Sequence, residues 1–141
     1  MRYMLDTDIC SHVIRQRDPR LLAVLQTRTR SGAAVCISAI TYAELRLGAL
    51  RSSSARRHGA AVQALCARLS GVLAWGMPEA DEFARIQAEL LADGAPIGNN
   101  DAMIAAHALS SGSTLVTNNE RHFARVSGLD QENWLPQAKR G

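Results

Sequence analysis

The chain has 141 residues, a mass of 15.2 kDa, an apolar content of 47% and a formal net charge of +3. This length suits one domain that buries about two thirds of the surface of the unfolded chain. The apolar residues are scattered rather than gathered into the run of about 20 that a membrane span needs, and the start lacks the regions of a secretory signal, so a cytosolic protein is expected.

Short apolar strands alternate with helices along the first half of the chain. The stretch Arg2-Tyr3-Met4-Leu5 predicts a buried strand that ends in the carboxylate of Asp6. Thr7 or Asp8 can cap the helix that follows, and Asp18-Pro19 has the residue types that begin another helix. A further strand and two helices, which are expected to form a hairpin, are predicted over 33–37, 38–50 and 55–69.

The second half of the chain continues the same alternation. Pro78 and Gly94 bound a predicted helix, because proline favours the first helical turn and glycine the position just past the last. A polar loop over 96–101 leads into the next helix. The other predicted elements are a strand over 72–75, a helix over 102–109, a strand over 113–117, a turn or short helix over 118–123 and an edge strand at Val126.

Short, nearly all-apolar strands that alternate with helices are typical of a parallel sheet covered on both faces. The sequence therefore predicts an α/β fold of three layers, with four to five parallel strands, in a single domain over 1–134. Residues 135–141 are predicted to be a frayed tail. The three cysteines lack the number and spacing of a disulfide framework or a zinc site, so we interpret them as core residues.

Oxygen-bearing side chains follow the predicted strands, at the sheet edge where α/β proteins bind ligands. They are Asp6, Glu44, Asp101 and the run Thr117-Asn118-Asn119. Each has a structural explanation when considered alone. Glu44 fits a capping box that begins at Thr41, and Asp101 complements a helix dipole. Capping does not explain why these residues should gather at one edge of one sheet.

Carboxylates that are held together without a basic partner repel one another, and a hard divalent cation with oxygen ligands removes that repulsion. We therefore expect Mg²⁺ or Mn²⁺ at this edge of the sheet. Such a site suits the hydrolysis of phosphodiesters, because the ion activates water, shields the scissile phosphate and stabilises the leaving oxygen.

The basic residues are concentrated in the first half of the chain. Residues 9–57 contain nine arginines against two acids, and all but one of the sixteen basic residues are arginine. Arginine suits bidentate contacts with phosphate, which favours a polyanionic partner. An arginine-rich but ordinary solvated surface is the alternative explanation.

Four motifs from residue 3 to about Trp134 carry a family resemblance. They are Met4-Leu5-Asp6-Thr7-Asp8-Ile9-Cys10, Ser38-Ala39-Ile40-Thr41-Tyr42-Ala43-Glu44-Leu45 with Gly48, Pro96-Ile97-Gly98 through Asp101-Ala102-Met103-Ile104-Ala105-Ala106-His107-Ala108, and Leu115-Val116-Thr117-Asn118-Asn119 with Phe123. In this order and at these separations they resemble the PIN-domain ribonucleases of the VapC toxin type.

The resemblance implies a bacterial, cytoplasmic toxin of a toxin–antitoxin pair. Members of that type are usually dimeric, cleave structured RNA with Mg²⁺ or Mn²⁺, and are neutralised by a small VapB-like antitoxin. Their substrates are often tRNA anticodon loops. The Thr117-Asn118-Asn119 ending is similar to that of members that act on initiator tRNA.

Carried over residue by residue, the resemblance implies that Asp6 and Asp101 bind the metal directly. Glu44 is a third acid of the metal site, which acts directly or through water. The family's fourth acidic position falls on Asn119, and this amide lowers the negative charge of the site by one, which is expected to weaken metal binding. The remaining neighbours, Thr117 and Asn118, are expected to orient the site by hydrogen bonds.

Other residues receive supporting interpretations. Asp8 stands at the predicted helix start and is interpreted as a cap or a support of the site rather than a direct ligand. Arg51 shares the helix face of Glu44, and Arg121 closely follows the last site strand, so both are candidates for contact with RNA. His107 lies about 240° around its helix from the site acid and is interpreted as a core histidine.

Two alternatives remain open at this level. Asp6-Thr7-Asp8 also resembles the nucleophile and acid pair of haloacid-dehalogenase-type phosphatases, in which Asp6 would be a covalent nucleophile. Those enzymes require a later Lys or Arg to hold the phosphoryl group, and the only lysine is Lys139. The other alternative, suggested by Asn119, is a PIN-like module without activity that only binds RNA or protein.

Overall fold

The computed structural model describes residues 1–16 and 18–135. Its elements, in chain order, are β1 (Arg2–Leu5), α1 (Thr7–Ile14), α2 (Pro19–Arg30), β2 (Ala34–Ser38), α3 (Ala39–Arg51), α4 (Ala55–Arg68), β3 (Gly71–Leu73), α5 (Met77–Ala92), α6 (Asn99–Ser110), β4 (Thr114–Val116), α7 (Glu120–Phe123) and β5 (Gln131–Glu132). The predicted tail over 135–141 lies outside the described residues, apart from Leu135. No helix in the described ranges is long and apolar enough to cross a membrane.

The five strands form one parallel sheet in the order β3-β2-β1-β4-β5. β1 lies at its centre, where Tyr3 pairs with Val35 of β2 on one side and with Thr114 of β4 on the other. The α/β class and the parallel sheet are therefore confirmed.

Helices cover both faces of the sheet because successive side chains of a strand point to opposite sides. Tyr3 and Leu5 belong to a hydrophobic cluster with residues of α1, α2, α3 and α4, whereas Met4 belongs to a second cluster with residues of α5 and α6. Cys10 and Cys36 are buried, and Cys66 packs against the first cluster. The predicted three layers and the interpretation of the cysteines as core residues agree with this arrangement.

The cap of α1 differs from the prediction. Asp6, rather than Thr7 or Asp8, is the N-cap, and its Oδ1 accepts a hydrogen bond from the backbone N–H of Ile9 at 2.9 Å. This is possible because Asp6 has extended backbone while Thr7 is already helical. The residue that ends the first strand therefore also begins the first helix.

Two other local predictions are wrong. Glu44 does not belong to a capping box, because α3 is capped by Ser38 and starts at Ala39, which places Glu44 well inside the helix. Val126 is not in a strand but is buried in the second cluster, and the last strand is β5.

The chain leaves β1 toward β2 on one side, and β4 pairs with β1 on the other. In parallel α/β sheets such a point of divergence opens a crevice at the carboxyl ends of the strands. Asp6 follows β1 and Thr117 follows β4 at this point, and the backbone N–H of Asp6 donates to the carbonyl of Val116 at 3.0 Å. The fold therefore brings the first and last predicted motifs together.

Candidate active site

A cleft of about 500 Å³, named here the acid cleft, opens at the carboxyl ends of β1 and β4. Its lining consists of Asp6, Thr7, Asp8, Ser11, Asp101, Asn118, Asn119 and Phe123. Five predicted site residues thus line one cleft although they come from three distant segments of the sequence: Asp6, Asp8, Asp101, Asn118 and Asn119.

Asp6 is the most buried carboxylate of the cleft, with 5% of its surface exposed. Burial raises its pKa to about 6, because the charged form loses its hydration. Hydrogen bonds from the Thr117 hydroxyl and the Ile9 amide lower the pKa, and the charges of Asp8 and Asp101 raise it. The electrostatic field at Asp6 therefore favours any positive charge that enters the cleft.

Asp101 reaches the cleft from the first turn of α6, which begins three residues earlier than predicted. Its side chain is 43% exposed, so it is available to a ligand. The Nε2 atom of His122 lies 3.1 Å from Oδ2 of Asp101 but is not aligned for a hydrogen bond, and it has no other partner within the described ranges. His122 therefore packs against Asp101, and its Nε2 atom is buried beside that carboxylate.

Glu44 lies beside the acid cleft rather than in its lining. Its Oε1 accepts a hydrogen bond of 2.7 Å from the hydroxyl of Thr7, which also lies 3.2 Å from the hydroxyl of Thr41. Glu44 lines the adjoining depression between α1, α3 and α4, which shares Thr7 and Ser11 with the acid cleft. Thr7 thus links the third predicted acid to the other two.

The segment after β4 completes the cleft. Thr117 is fully buried, and its Oγ1 accepts from the backbone N–H of Asn119 at 2.9 Å while its hydroxyl bonds Asp6. Asn118 and Asn119 are exposed at the mouth, and Oδ1 of Asn118 accepts from Asn133 at 3.1 Å. Thr117 therefore bonds the site acid Asp6, whereas Asn118 bonds Asn133 beyond β5.

The remaining predicted residues lie farther out. Asp8 lines the cleft but is exposed in the first turn of α1, and its Oδ2 is 3.7 Å from Nε2 of His12. Arg51 and Arg121 are exposed, and neither belongs to the lining of the acid cleft within the described residues. Their predicted contacts with RNA therefore depend on how far a bound strand extends.

Sequence reasoning did not single out Thr7 or Ser11 as lining residues of the cleft. Ser11 follows Thr7 by one helical turn, so the position of α1 at the sheet edge carries both toward the cleft. A serine or threonine in a helix gives no functional signal by itself. Only the spacing of these residues from Asp6 could have indicated their place.

The donor set suits a hard divalent cation. Asp6, Asp101, Asn118 and Asn119 offer carboxylate and amide oxygens, which Mg²⁺ and Mn²⁺ prefer, and no lysine or arginine lines the cleft in the described part of the chain. No three Asp, Glu, His or Cys side chains of the described residues are grouped closely enough to hold an ion by themselves. Asp6 and Asp101 would therefore hold the ion together with water molecules, and Glu44 would contact it through one of those water molecules.

The fold and this cleft define a class of protein. The family model of the PIN domain matches residues 3–129, so the chain is a PIN-domain protein. Within that class it belongs to the VapC ribonucleases. It is 42% identical to Ribonuclease VapC2 of Haemophilus influenzae over 135 residues, which covers 96% of this chain and 99% of the relative.

Two other comparisons agree with this membership. The tRNA(fMet)-specific endonuclease VapC of Shigella flexneri is 37% identical over 134 residues, covering 95% of this chain and 98% of that protein. The crystal structure of VapBC2 from Rickettsia felis, bound to a DNA fragment from their promoter, has a TM-score of 0.90 and 32% identity, covering 95% of this chain and 99% of that one. A haloacid-dehalogenase-type phosphatase is thereby ruled out.

Proposed function

We propose that the protein is a metal-dependent endoribonuclease toxin that hydrolyses structured RNA in its acid cleft. The observation that carries the proposal is the meeting of buried Asp6 with Asp101 at the divergence of β1 and β4. Membership of the VapC ribonucleases supports the reaction class. The intact acids argue against the inactive binding module.

Each acid of the site has its own role in the proposed hydrolysis. Asp6, fixed by Thr117 and the start of α1, provides a carboxylate whose direction is set before any ligand binds. Asp101 faces it across the cleft, and Glu44 orients water through its neighbour Thr7. When bound, Mg²⁺ or Mn²⁺ would supply charge neutralisation at the phosphate and a water of lowered pKa.

For the substrate, we propose tRNA, and initiator tRNA in particular. The Shigella flexneri relative is named as a tRNA(fMet)-specific endonuclease, and Asn118 and Asn119 lie at the mouth of the cleft, where a substrate strand would pass. The arginines of the first half, Arg51 among them, and Arg121 beyond the cleft are suited to the phosphates of a folded RNA.

The proposal is tested by incubating the purified protein with initiator and elongator tRNA transcripts in Mg²⁺ or Mn²⁺. We expect cleavage of initiator tRNA at one main position, and its loss in EDTA or in Asp101→Asn. Asp93→Asn is the matched control, because Asp93 is an exposed acid at the end of α5. Full activity in EDTA would disprove the metal mechanism, and equal cleavage of both tRNAs would disprove the substrate preference.

We further propose that a VapB-like antitoxin binds along a groove that starts at the acid cleft. The acid cleft shares Thr7 and Ser11 with a first depression, which shares Ile14 with a second. The second shares Leu22 and Arg68 with a third, so the groove continues across α1, α4 and α2. Its apolar floor and basic rim suit an amphipathic, acidic segment.

Adjacent alanines of α4 provide the test of this groove. Ala61 lines it, whereas its neighbour Ala60 is exposed outside the lining. We expect Ala61→Glu to weaken binding of the partner antitoxin at least tenfold and Ala60→Glu to leave it unchanged, as measured by calorimetry. Equal affinity of the two variants would contradict this location.

A homodimer is also proposed. Leu47 and Leu50 at the end of α3, Val72 on the edge strand β3 and Met77 at the start of α5 are exposed apolar side chains on neighbouring elements. We expect light scattering to give the mass of two chains for the unaltered protein and the mass of one chain for Leu50→Arg, with Gln63→Arg on α4 as the control.

We also propose that the protein acts in the bacterial cytoplasm, where its RNA substrates are.

A further inference from the structure

A buried polar chain connects the two helices that carry site acids. Among the described residues, the buried polar side chains are Asp6, Ser38, Thr41, His107, Ser113 and Thr117. Asp6, Thr41 and Thr117 belong to the acid cleft and its hydrogen bonds, and Ser113 bonds Ser111. The remaining pair, Ser38 and His107, joins two different layers of the fold and has no part in the proposed chemistry.

The contact is short and closed to solvent. Nδ1 of His107 lies 2.7 Å from Oγ of Ser38, and the two residues are 1% and 0% exposed. Nε2 of the same ring lies 3.7 Å from Oε1 of Glu79 on α5. No other side-chain hydrogen bond joins α6 to β2 or α3 in the part of the chain that the structure describes.

The neighbours of the ring define its proton arrangement. Burial lowers the pKa of His107, against the opposing charge of Glu79, so the ring is neutral at neutral pH. A neutral ring that faces a carboxylate through Nε2 keeps its proton there, which leaves Nδ1 as an acceptor. The Ser38 hydroxyl then donates to Nδ1 and accepts from the backbone N–H of Ile40 at 3.0 Å, so both hydrogen-bonding capacities of this hydroxyl are used.

The link stands at the same distance from both site acids. Ser38 caps α3 six residues before Glu44, and His107 follows Asp101 by six residues on α6. Six helical residues span about 9 Å, so the bond fixes the two helices about 1.7 turns from the carboxylates. The other buried side chains of α6 are alanines and Ile104, none of which can form a side-chain hydrogen bond to α3.

We propose that His107 is a positioning residue of the acid cleft, which through Ser38 holds the helix of Asp101 in register with the helix of Glu44. This inference rests on the proposed function for its effect on catalysis, but the link itself does not. A misplacement on the order of 1 Å in a catalytic group costs about 100-fold in rate. Loss of the link should therefore lower kcat, with little change in KM.

Two amide substitutions of His107 distinguish the role of its Nδ1 atom from that of its Nε2 atom. His107→Asn places an amide near the position of Nδ1 and can keep the bond to Ser38, whereas His107→Gln places it near Nε2 and loses that bond. We expect kcat for RNA cleavage to fall 10- to 100-fold in His107→Gln and less than threefold in His107→Asn. Leu109→Ala on the same helix is the control, because it loosens packing without removing the hydrogen bond between His107 and Ser38.

Amide chemical shifts measure the register without catalysis. We expect the backbone signals of Glu44 and Asp101 to move in His107→Gln and to stay in place in His107→Asn and Leu109→Ala. In the unaltered protein, ¹⁵N spectra of the ring should show the proton on Nε2. Ser38→Ala removes the same bond together with the cap of α3, so adding His107→Gln to Ser38→Ala should cause no further loss of kcat.

The outcomes are separable. If the unaltered protein cleaved no RNA, the proposed function would fail, and the amide shifts would still test the link. Equal shifts or equal kcat losses in His107→Asn and His107→Gln would overturn the positioning role. A proton on Nδ1, or additive effects of Ser38→Ala and His107→Gln, would overturn the described hydrogen bond. If His107→Gln failed to fold, the backbone amide signal of Asp101 in Ser38→Ala would decide. A shifted signal would support the positioning role, and an unmoved signal would overturn it.

Discussion

At the scale of single residues, Asp6 combines two roles that oppose each other energetically. As the cap of α1 it satisfies a backbone N–H, but its burial penalises the charged form that a cation requires. The sequence identified Asp6 as a site residue because a carboxylate directly after an apolar strand is conspicuous. It did not identify the cap, because three consecutive residues, Asp6, Thr7 and Asp8, are all good capping types.

Neutralising Asp6 should separate these roles. We predict that Asp6→Asn abolishes RNA cleavage and raises the free energy of unfolding of the metal-free protein by about 1–3 kcal/mol at pH 8, since the charge is no longer buried. Chemical denaturation measures the gain. A lower stability of Asp6→Asn would show that the capping bond, rather than desolvation, dominates at this position.

The raised pKa also sets a pH dependence. Because the pKa of Asp6 is about 6 in the folded protein and the ordinary value of an aspartate is 3.8, stability of the metal-free protein falls as pH rises from about 4 to 6. Binding of the cation has the opposite trend, because the cation needs the charged carboxylate, so the affinity of the metal-free protein for Mn²⁺ should decline as pH falls through about 6. An affinity that stays constant between pH 5 and 7 in calorimetry would refute this assignment.

Asn119 is the departure from the family pattern. It lines the acid cleft as an exposed amide, so a carboxylate there would join Asp6 and Asp101. We predict that Asn119→Asp tightens Mn²⁺ binding severalfold, as measured by calorimetry. Asp130→Asn, which changes an acid outside the lining, is the control. Unchanged affinity in Asn119→Asp would remove the reduced-charge argument.

At the level of helices and strands, the sequence predicted the strands that consist of apolar runs and missed the one strand that is polar. The first four strands are short apolar runs and were located within about two residues. β5 consists of Gln131 and Glu132, and two polar residues carry no apolar pattern that would predict a strand. The buried Val126 was mistaken for a strand because a single apolar residue between polar ones has no readable period. Likewise, the position of Glu44 beside the cleft depends on where α3 begins.

The polar strand β5 is held in place by contacts with residues outside the strand. Trp134 is 7% exposed, packs edge-on against Tyr3 at 5.1 Å and donates from its indole nitrogen to Glu132 at 3.1 Å. Arg28 of α2 bonds the same carboxylate at 3.2 Å. Trp134 therefore packs onto the same core as β1, and the domain boundary at 134 stays a prediction.

Removing the indole should test that boundary. We predict that Trp134→Ala lowers the free energy of unfolding by about 3–4 kcal/mol, as is usual for a buried aromatic. A chain truncated after residue 135 should keep the stability of the full chain. A loss below about 1 kcal/mol in Trp134→Ala would place the segment outside the cooperative fold.

At the scale of the whole molecule, the acid cleft and the proposed antitoxin groove form one continuous surface. Thr7 and Ser11 belong to both, so a partner lying in the groove would reach the residues that border Asp6 and Glu44. The sequence predicted the class of partner through its family resemblance alone. Neither the groove nor the exposed apolar face near Leu50 was predicted, because each combines residues from several elements whose packing only the fold determines.

The central claim is that the acid cleft binds the divalent cation used for RNA cleavage. Calorimetric titration of Mn²⁺ into the metal-free protein tests it most directly, with Asp101→Asn and Asp93→Asn measured in parallel. We predict saturable binding to the unaltered protein and to Asp93→Asn, and at least a tenfold loss of affinity in Asp101→Asn. Binding of equal strength in all three proteins, or none in the unaltered protein, would contradict the account.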